Sequence, residues 1–205
     1  ERSPLTPLKS AVYAASSKVD KGEPGRIEKV FSSLDQATKK KAEHVNTWKK
    51  WVKEAKRLKP SLLLILPHTY DYMDQPGMEI GNNEQLHVLR IGKEHLGVSE
   101  DHLPPIVLLL GCNTEAIEIP FQGLVAKFRR EGAAIVLSTL TPVLGRHAAP
   151  VAQATIKLLE KITKTDSLSF GDVMMRLRRM ALAEGIPMAL CLFAHGDADW
   201  RIGKA

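Results

Sequence analysis

The run Leu62-Leu-Leu-Ile-Leu66 carries no polar side chain across five residues, and Ile106-Val-Leu-Leu-Leu110 repeats the pattern. A strand-length segment that is apolar at every position has no face to offer water. Such strands belong in a mostly parallel sheet covered on both sides by helices. Each run then meets a residue that punctuates the backbone, Pro67 in one case and Gly111 in the other. A reactive side chain follows each time: His68 two residues past Leu66, and Cys112 two residues past Leu110. In open sheets of this kind the functional crevice lies beyond the carboxyl ends of the strands. The pattern therefore sets an imidazole and a thiol at equivalent exits from two buried strands.

The rest of the chain alternates in the same way. Strands are predicted over Ala11–Ser16, Ala133–Ser138 and Ala189–Ala194, with a less regular segment over Ile27–Leu34. Helices are predicted over Ala37–Lys59, Gln85–Leu96, Ile119–Glu131, Pro150–Ile162 and Phe170–Glu184. The last has marked ends, with Ser169 as N-cap, Asp172 three residues on, and Gly185 placed for the left-handed C′ position. Residues 70–83 read as a polar excursion in which Met78–Ile80 is extended. The 205 residues suffice for one α/β domain over 1–205, of three layers. A first residue that is Glu rather than Met reads as a piece of a longer protein. No apolar run reaches the ~18 residues of a membrane span, and no secretory core opens the chain, which points to the cytoplasm.

Charge is unevenly spread. Residues 1–60 hold 15 Lys and Arg against 7 Asp and Glu, and the remainder is slightly acidic. Lysines crowd the segment 37–59 around an apolar stripe of Val45, Trp48, Val52 and Ala55 at helical spacing. No aromatic interleaves the lysines on the polar side, so this is a solvated helix face over a packed core, and nucleic acid is not the expected partner.

A thiol needs help to ionise at neutral pH, and a neighbouring imidazole gives it by taking the proton. Gly111 leaves room for a substrate backbone, and the amide of Cys112 is a donor for an oxyanion. Cys191 sits inside an apolar segment and reads as core. His195-Gly196 is the rival base, but it follows a last strand expected at the sheet edge, where it can run antiparallel. His44, His87, His95, His102 and His147 fall on expected helix or loop surfaces. No zinc or phosphate-loop motif occurs, and no cofactor is implied.

Five segments, Ala14-Ala-Ser-Ser-Lys-Val-Asp20, Leu66-Pro-His-Thr69, Leu109-Leu-Gly-Cys-Asn-Thr114, Gly132-Ala-Ala-Ile-Val-Leu-Ser-Thr139 and Ala194-His-Gly-Asp-Ala-Asp199, together resemble the CHAT domain family. These are caspase-like cysteine peptidases of the clan that also holds separase, gingipain and clostripain. The resemblance spans nearly the whole chain in order. It implies the caspase–haemoglobinase fold, His68 as general base, Cys112 as nucleophile, and peptide hydrolysis through a thioester. It also implies fusion or association with a sensor or repeat module, often in prokaryotic defence, with this domain as the effector. Thr69 stands where such enzymes usually carry Gly, so its amide is the donor in question. Lys18, Asp20, Asp71 and Glu115 are the substrate-binding candidates at the rim, and both signs of charge are represented. A catalytically silent scaffold of the same fold is the alternative. The 70–83 segment is expected to rearrange when the cleft forms.

Overall fold

The structure, a computed structural model, describes residues 5–72, 75–111, 121–141, 143, 145–165 and 167–203. In chain order, β1 (Leu5–Thr6) and β2 (Ala11–Ala15) precede α1 (Arg26–Ala37). Next come β3 (Ala42–His44), α2 (Trp48–Leu58) and β4 (Leu62–Leu66). Three short strands follow: β5 (His68–Tyr72), β6 (Gln75–Ile80) and β7 (Glu84–His87). The chain continues through α3 (Lys93–Leu96), β8 (Ile106–Leu109), α4 (Phe121–Arg130) and β9 (Ile135–Thr139). It closes with α5 (Gly145–Thr165), β10 (Ser167–Ser169), α6 (Phe170–Ala183), β11 (Leu192–Gly196) and β12 (Arg201–Gly203).

Six strands form the central sheet in the order β11-β9-β8-β4-β2-β3. All pairings are parallel except β11 with β9, which is antiparallel at the edge. Alternation along the strands divides the interior in two. Tyr13, Leu62, Leu64, Leu66, Ile106 and Leu108 point to the layer of α1, α5 and α6. Val12, Ala14, Leu63, Ile65, Val107 and Leu109 point to the layer of α2, α3 and α4. Leu62 to Leu66 are all at most 1% exposed. Each such side chain contributes about 1.5–3 kcal/mol of burial, which is why both faces must be covered. A separate antiparallel sheet, β5-β6-β7, lies past the carboxyl end of β4, and β1-β12-β10 makes a third.

Some boundaries differ from the sequence expectation. The predicted helix over Ala37–Lys59 is α2 alone, preceded by strand β3 on the edge of the sheet beside β2. Thr47 starts α2 by accepting a hydrogen bond from the Lys50 amide, so the helical stripe begins only at Trp48. Ile27–Leu34 lies within the helix α1. Gln85–Leu96 is not one helix: it holds the end of β7, a 3-10 turn and the short α3. Trp48 and Trp51 anchor that stretch by donating their indole N–H to the Glu84 and His95 carbonyls, at 3.0 and 2.7 Å. His95 is consequently buried rather than on the surface, and burial lowers its pKa despite nearby Glu94. The segment 189–191 is a 3-10 turn in which Cys191 is half-buried, not a core strand residue.

Lys39, Lys40 and Lys59, just past the ends of α1 and α2, adopt left-handed backbone with φ of 54°, 62° and 44°. A non-glycine residue is disfavoured there by roughly 1–2 kcal/mol.

Candidate functional site

The carboxyl ends of β4 and β8 lie side by side. Ile65 pairs with Leu109, and the Leu110 amide donates to the Ile65 carbonyl at 3.0 Å. Leu110 and Gly111 therefore stand level with Leu66 and Pro67. Neighbouring strands are separated by about 4.8 Å. Pro67 ends the ladder, since it has no N–H to offer, and His68 opens β5 immediately afterwards. His68 is half-buried at this rim, and Gly111 is buried. Cys112 and Glu115 lie outside the described residues.

The described residues of the segment 70–83 are mostly strand, not an irregular polar excursion. β5 and β6 pair antiparallel, with His68 opposite Glu79, Thr69 opposite Met78 and Tyr70 opposite Gly77. Gly77 lies under the Tyr70 ring, which would have to move aside for a Cβ there. Gly81 is required twice over, by its φ of +56° and by the Asn46 carbonyl against which a Cβ would collide. Gly81 also pairs with Ser16, tying the small sheet to the end of β2. One face of the hairpin, Met78 and Ile80, is fully buried in the second core. Gly77 within β6 and the buried Glu79 on its other face depart from an apolar–polar alternation, which hid the strand in the sequence.

Glu79 is the residue that sequence reasoning missed. It is 4% exposed, yet it carries a carboxylate. Ser16 Oγ donates to its Oε1 at 3.1 Å, and Lys18 Nζ donates to its Oε2 at 3.0 Å. Lys18, one of the expected rim residues, is thus committed to Glu79 while its own side chain stays 46% exposed. The partners lie 61 and 63 residues apart in sequence, and no local pattern announces them. Burial, then the Glu79 charge, raises the pKa of Tyr70 on the same hairpin.

The other expected residues are distributed unevenly. The Thr69 side chain is 2% exposed, and its hydroxyl has no hydrogen-bond partner among the described residues. Asp20 follows β2 in a 3-10 turn, and its two oxygens accept from the Gly25 and Ile27 amides at 3.2 and 2.9 Å. That carboxylate fastens the entry to α1. Asp71 is exposed on β5. His195 lies on β11 opposite Val136, one residue from the start of β9. Because β11 runs antiparallel, His195 sits toward the amino ends of the parallel strands, away from Gly111. Burial, then Arg129, lowers its pKa. Among the described residues no three His, Cys, Asp or Glu side chains gather as a metal site. No described helix is long and apolar enough to cross a membrane.

No family model and no curated protein matches the chain. Solved structures do. Gingipain R, an Arg-specific cysteine proteinase, aligns with a TM-score of 0.61 at 14% identity, over 98% of this chain and 49% of that one. The Drosophila initiator caspase Dronc aligns with a TM-score of 0.53 at 8% identity, over 98% and 86%. Saccharomyces cerevisiae separase, in its complex with securin, aligns with a TM-score of 0.53 at 14% identity, over 98% and 12%. The fold is caspase-like. The chain spans about half the length of gingipain R.

Proposed function

We propose that this chain is a cysteine endopeptidase domain of the CHAT type, with Cys112 as nucleophile and His68 as general base. The observation that carries the proposal is the side-by-side exit of β4 and β8, which puts His68 and Gly111 at adjoining ends of a caspase-like sheet. In the proposed reaction the His68 imidazole takes the Cys112 proton, and the thiolate attacks the scissile carbonyl carbon. The amides of Cys112 and Thr69 are the donors proposed for the resulting oxyanion. The imidazolium then protonates the leaving amine as the C–N bond breaks, which leaves a thioester. A water that gives its proton to His68 hydrolyses the thioester and restores the thiol.

Lys18, Asp20, Asp71 and Glu115 are proposed to meet the substrate chain. Lys18 would act there through its paired state with Glu79, as a neutral pair rather than a free cation. The substrate is a protein, and the domain acts as the cytoplasmic effector of a defence or signalling system under a sensor or repeat module.

The test is labelling by a peptidyl acyloxymethyl ketone mixture, read by mass spectrometry. The expected outcome is a single adduct on Cys112 that is lost in His68→Ala and unaffected in Cys191→Ser. Absence of a Cys112 adduct in folded protein carrying its regulatory module would leave the silent scaffold as the reading.

A further inference from the structure

The end of the sheet opposite His68 is built from different material. There the amino ends of β2, β3 and β4 meet the carboxyl ends of α1, α2 and α5. Lys9, Lys39, Lys40, Lys41 and Lys59 stand at this end, and none has an ion-pair partner among the described residues. Their neighbours are already engaged: Arg57 binds Glu54 and Glu43, and Lys164 binds Glu160.

The helix ends account for some of these cations. Each carboxyl terminus presents about half a negative charge, so three helices offset about one and a half of the five. Asp101, the surplus carboxylate beside Arg57 and Asp35 in the last turn of α1 offset three more. A positive excess remains, and exposed Lys53 and Lys56 on α2 extend it. Lys39, Lys40 and Lys59 also hold left-handed backbone that Gly or Asn would adopt with less strain. Cap chemistry alone therefore does not call for lysine at these three positions.

Shape agrees with charge. Two clefts of about 460 and about 500 Å³ meet at Pro7, Lys9 and Lys41. Leu8 lines the first and Leu58 the second, where Leu103 is 50% exposed. We propose that this joined cleft docks an acidic polypeptide segment, its carboxylates on the lysines and its apolar side chains over Leu58 and Leu103. Nucleic acid fits less well. The described lining has no Phe, Tyr or Trp ring, only the single imidazole of His102, and its one arginine is doubly occupied. The leucines have no counterpart in a sugar–phosphate backbone.

The test is fluorescence anisotropy of the whole chain with a labelled peptide of repeating Glu-Glu-Leu, against an all-Glu peptide and a single-stranded RNA. Salt is held at about 0.15 M, where exposed charges are substantially screened. The mixed peptide is expected to bind saturably. Lys9→Glu with Lys41→Glu should weaken it about tenfold. Leu103→Ser should weaken it severalfold while leaving the all-Glu peptide unchanged. Lys39→Gly with Lys40→Gly removes two charges while relieving backbone strain, and should weaken binding without loss of circular dichroism. That pair decides the matter if the double reversal unfolds. No saturable binding, equal binding of the all-Glu peptide, or tighter RNA binding lost with the same lysines would each overturn the proposal. None of these readouts depends on peptidase activity.

Discussion

His68 and Glu79 stand directly opposite each other across β5 and β6, the one at the rim and the other 4% exposed. Ser16 and Lys18 hold the Glu79 carboxylate from the end of β2, so the strand that presents His68 is clamped through its partner strand. Glu79→Gln should cost about 1–3 kcal/mol, since it weakens charge-assisted hydrogen bonds in a buried place. Urea unfolding measures this, and an unchanged midpoint would remove the clamp from the account. Turnover by the folded fraction should fall as well.

The His68 and Cys112 assignments predict a steep and unequal response. Cys112→Ala should abolish single-turnover cleavage, and His68→Ala should reduce it by about 10²–10⁴-fold. His195→Ala should be mild, because His195 is at the far end of the sheet from Gly111. A larger loss in His195→Ala than in His68→Ala would reverse the choice of base.

Thr69→Val separates the side chain from the main chain. The hydroxyl is buried with no partner among the described residues, so an isosteric methyl should leave stability equal or raise it by about 1 kcal/mol. Activity should persist, since only the amide of Thr69 is proposed to act. Loss of activity without loss of stability would assign the hydroxyl a chemical role.

Acid should weaken the fold in the range where histidine titrates. Burial is the main cause that lowers the pKa of His95, which is 7% exposed. A lowered folded-state pKa means that the unfolded chain takes up protons first as pH falls through about 6.5. Stability should therefore be full above that value and decline below it, by up to about 1.4 kcal/mol per pH unit for this group. His95→Gln should show a shallower decline between about pH 6.5 and 5 in urea titrations. An equally steep decline would place the pH sensitivity elsewhere.

Cys191→Ala should cost less than about 0.5 kcal/mol, as befits a half-buried residue in a 3-10 turn. A denaturation midpoint shifted by more than this would restore Cys191 to the core.

The central strands were legible because they are buried on both faces and carry no polar side chain to confuse their period. The edge position and reversed direction of β11 were likewise foreseeable from its place at the end of the alternation. Residues 70–96 were not. Their small sheet buries Met78 and Ile80 on one face and Glu79 on the other, turns out of β6 at Gly81, and finds the partners of that glutamate far away in sequence. The same remoteness concealed the commitment of Lys18. His68 could be singled out because its position depends only on where β4 stops.

That dependence sets how the gene can vary. Consecutive residues of β4 feed opposite layers, so Leu, Ile and Val can exchange there with modest repacking, whereas one inserted or deleted residue would swap both layers at once. It would also carry His68 past or short of its neighbour strand, because a single proline separates the two. The strand works as a ruler: drift in its composition is tolerated, and drift in its length is not.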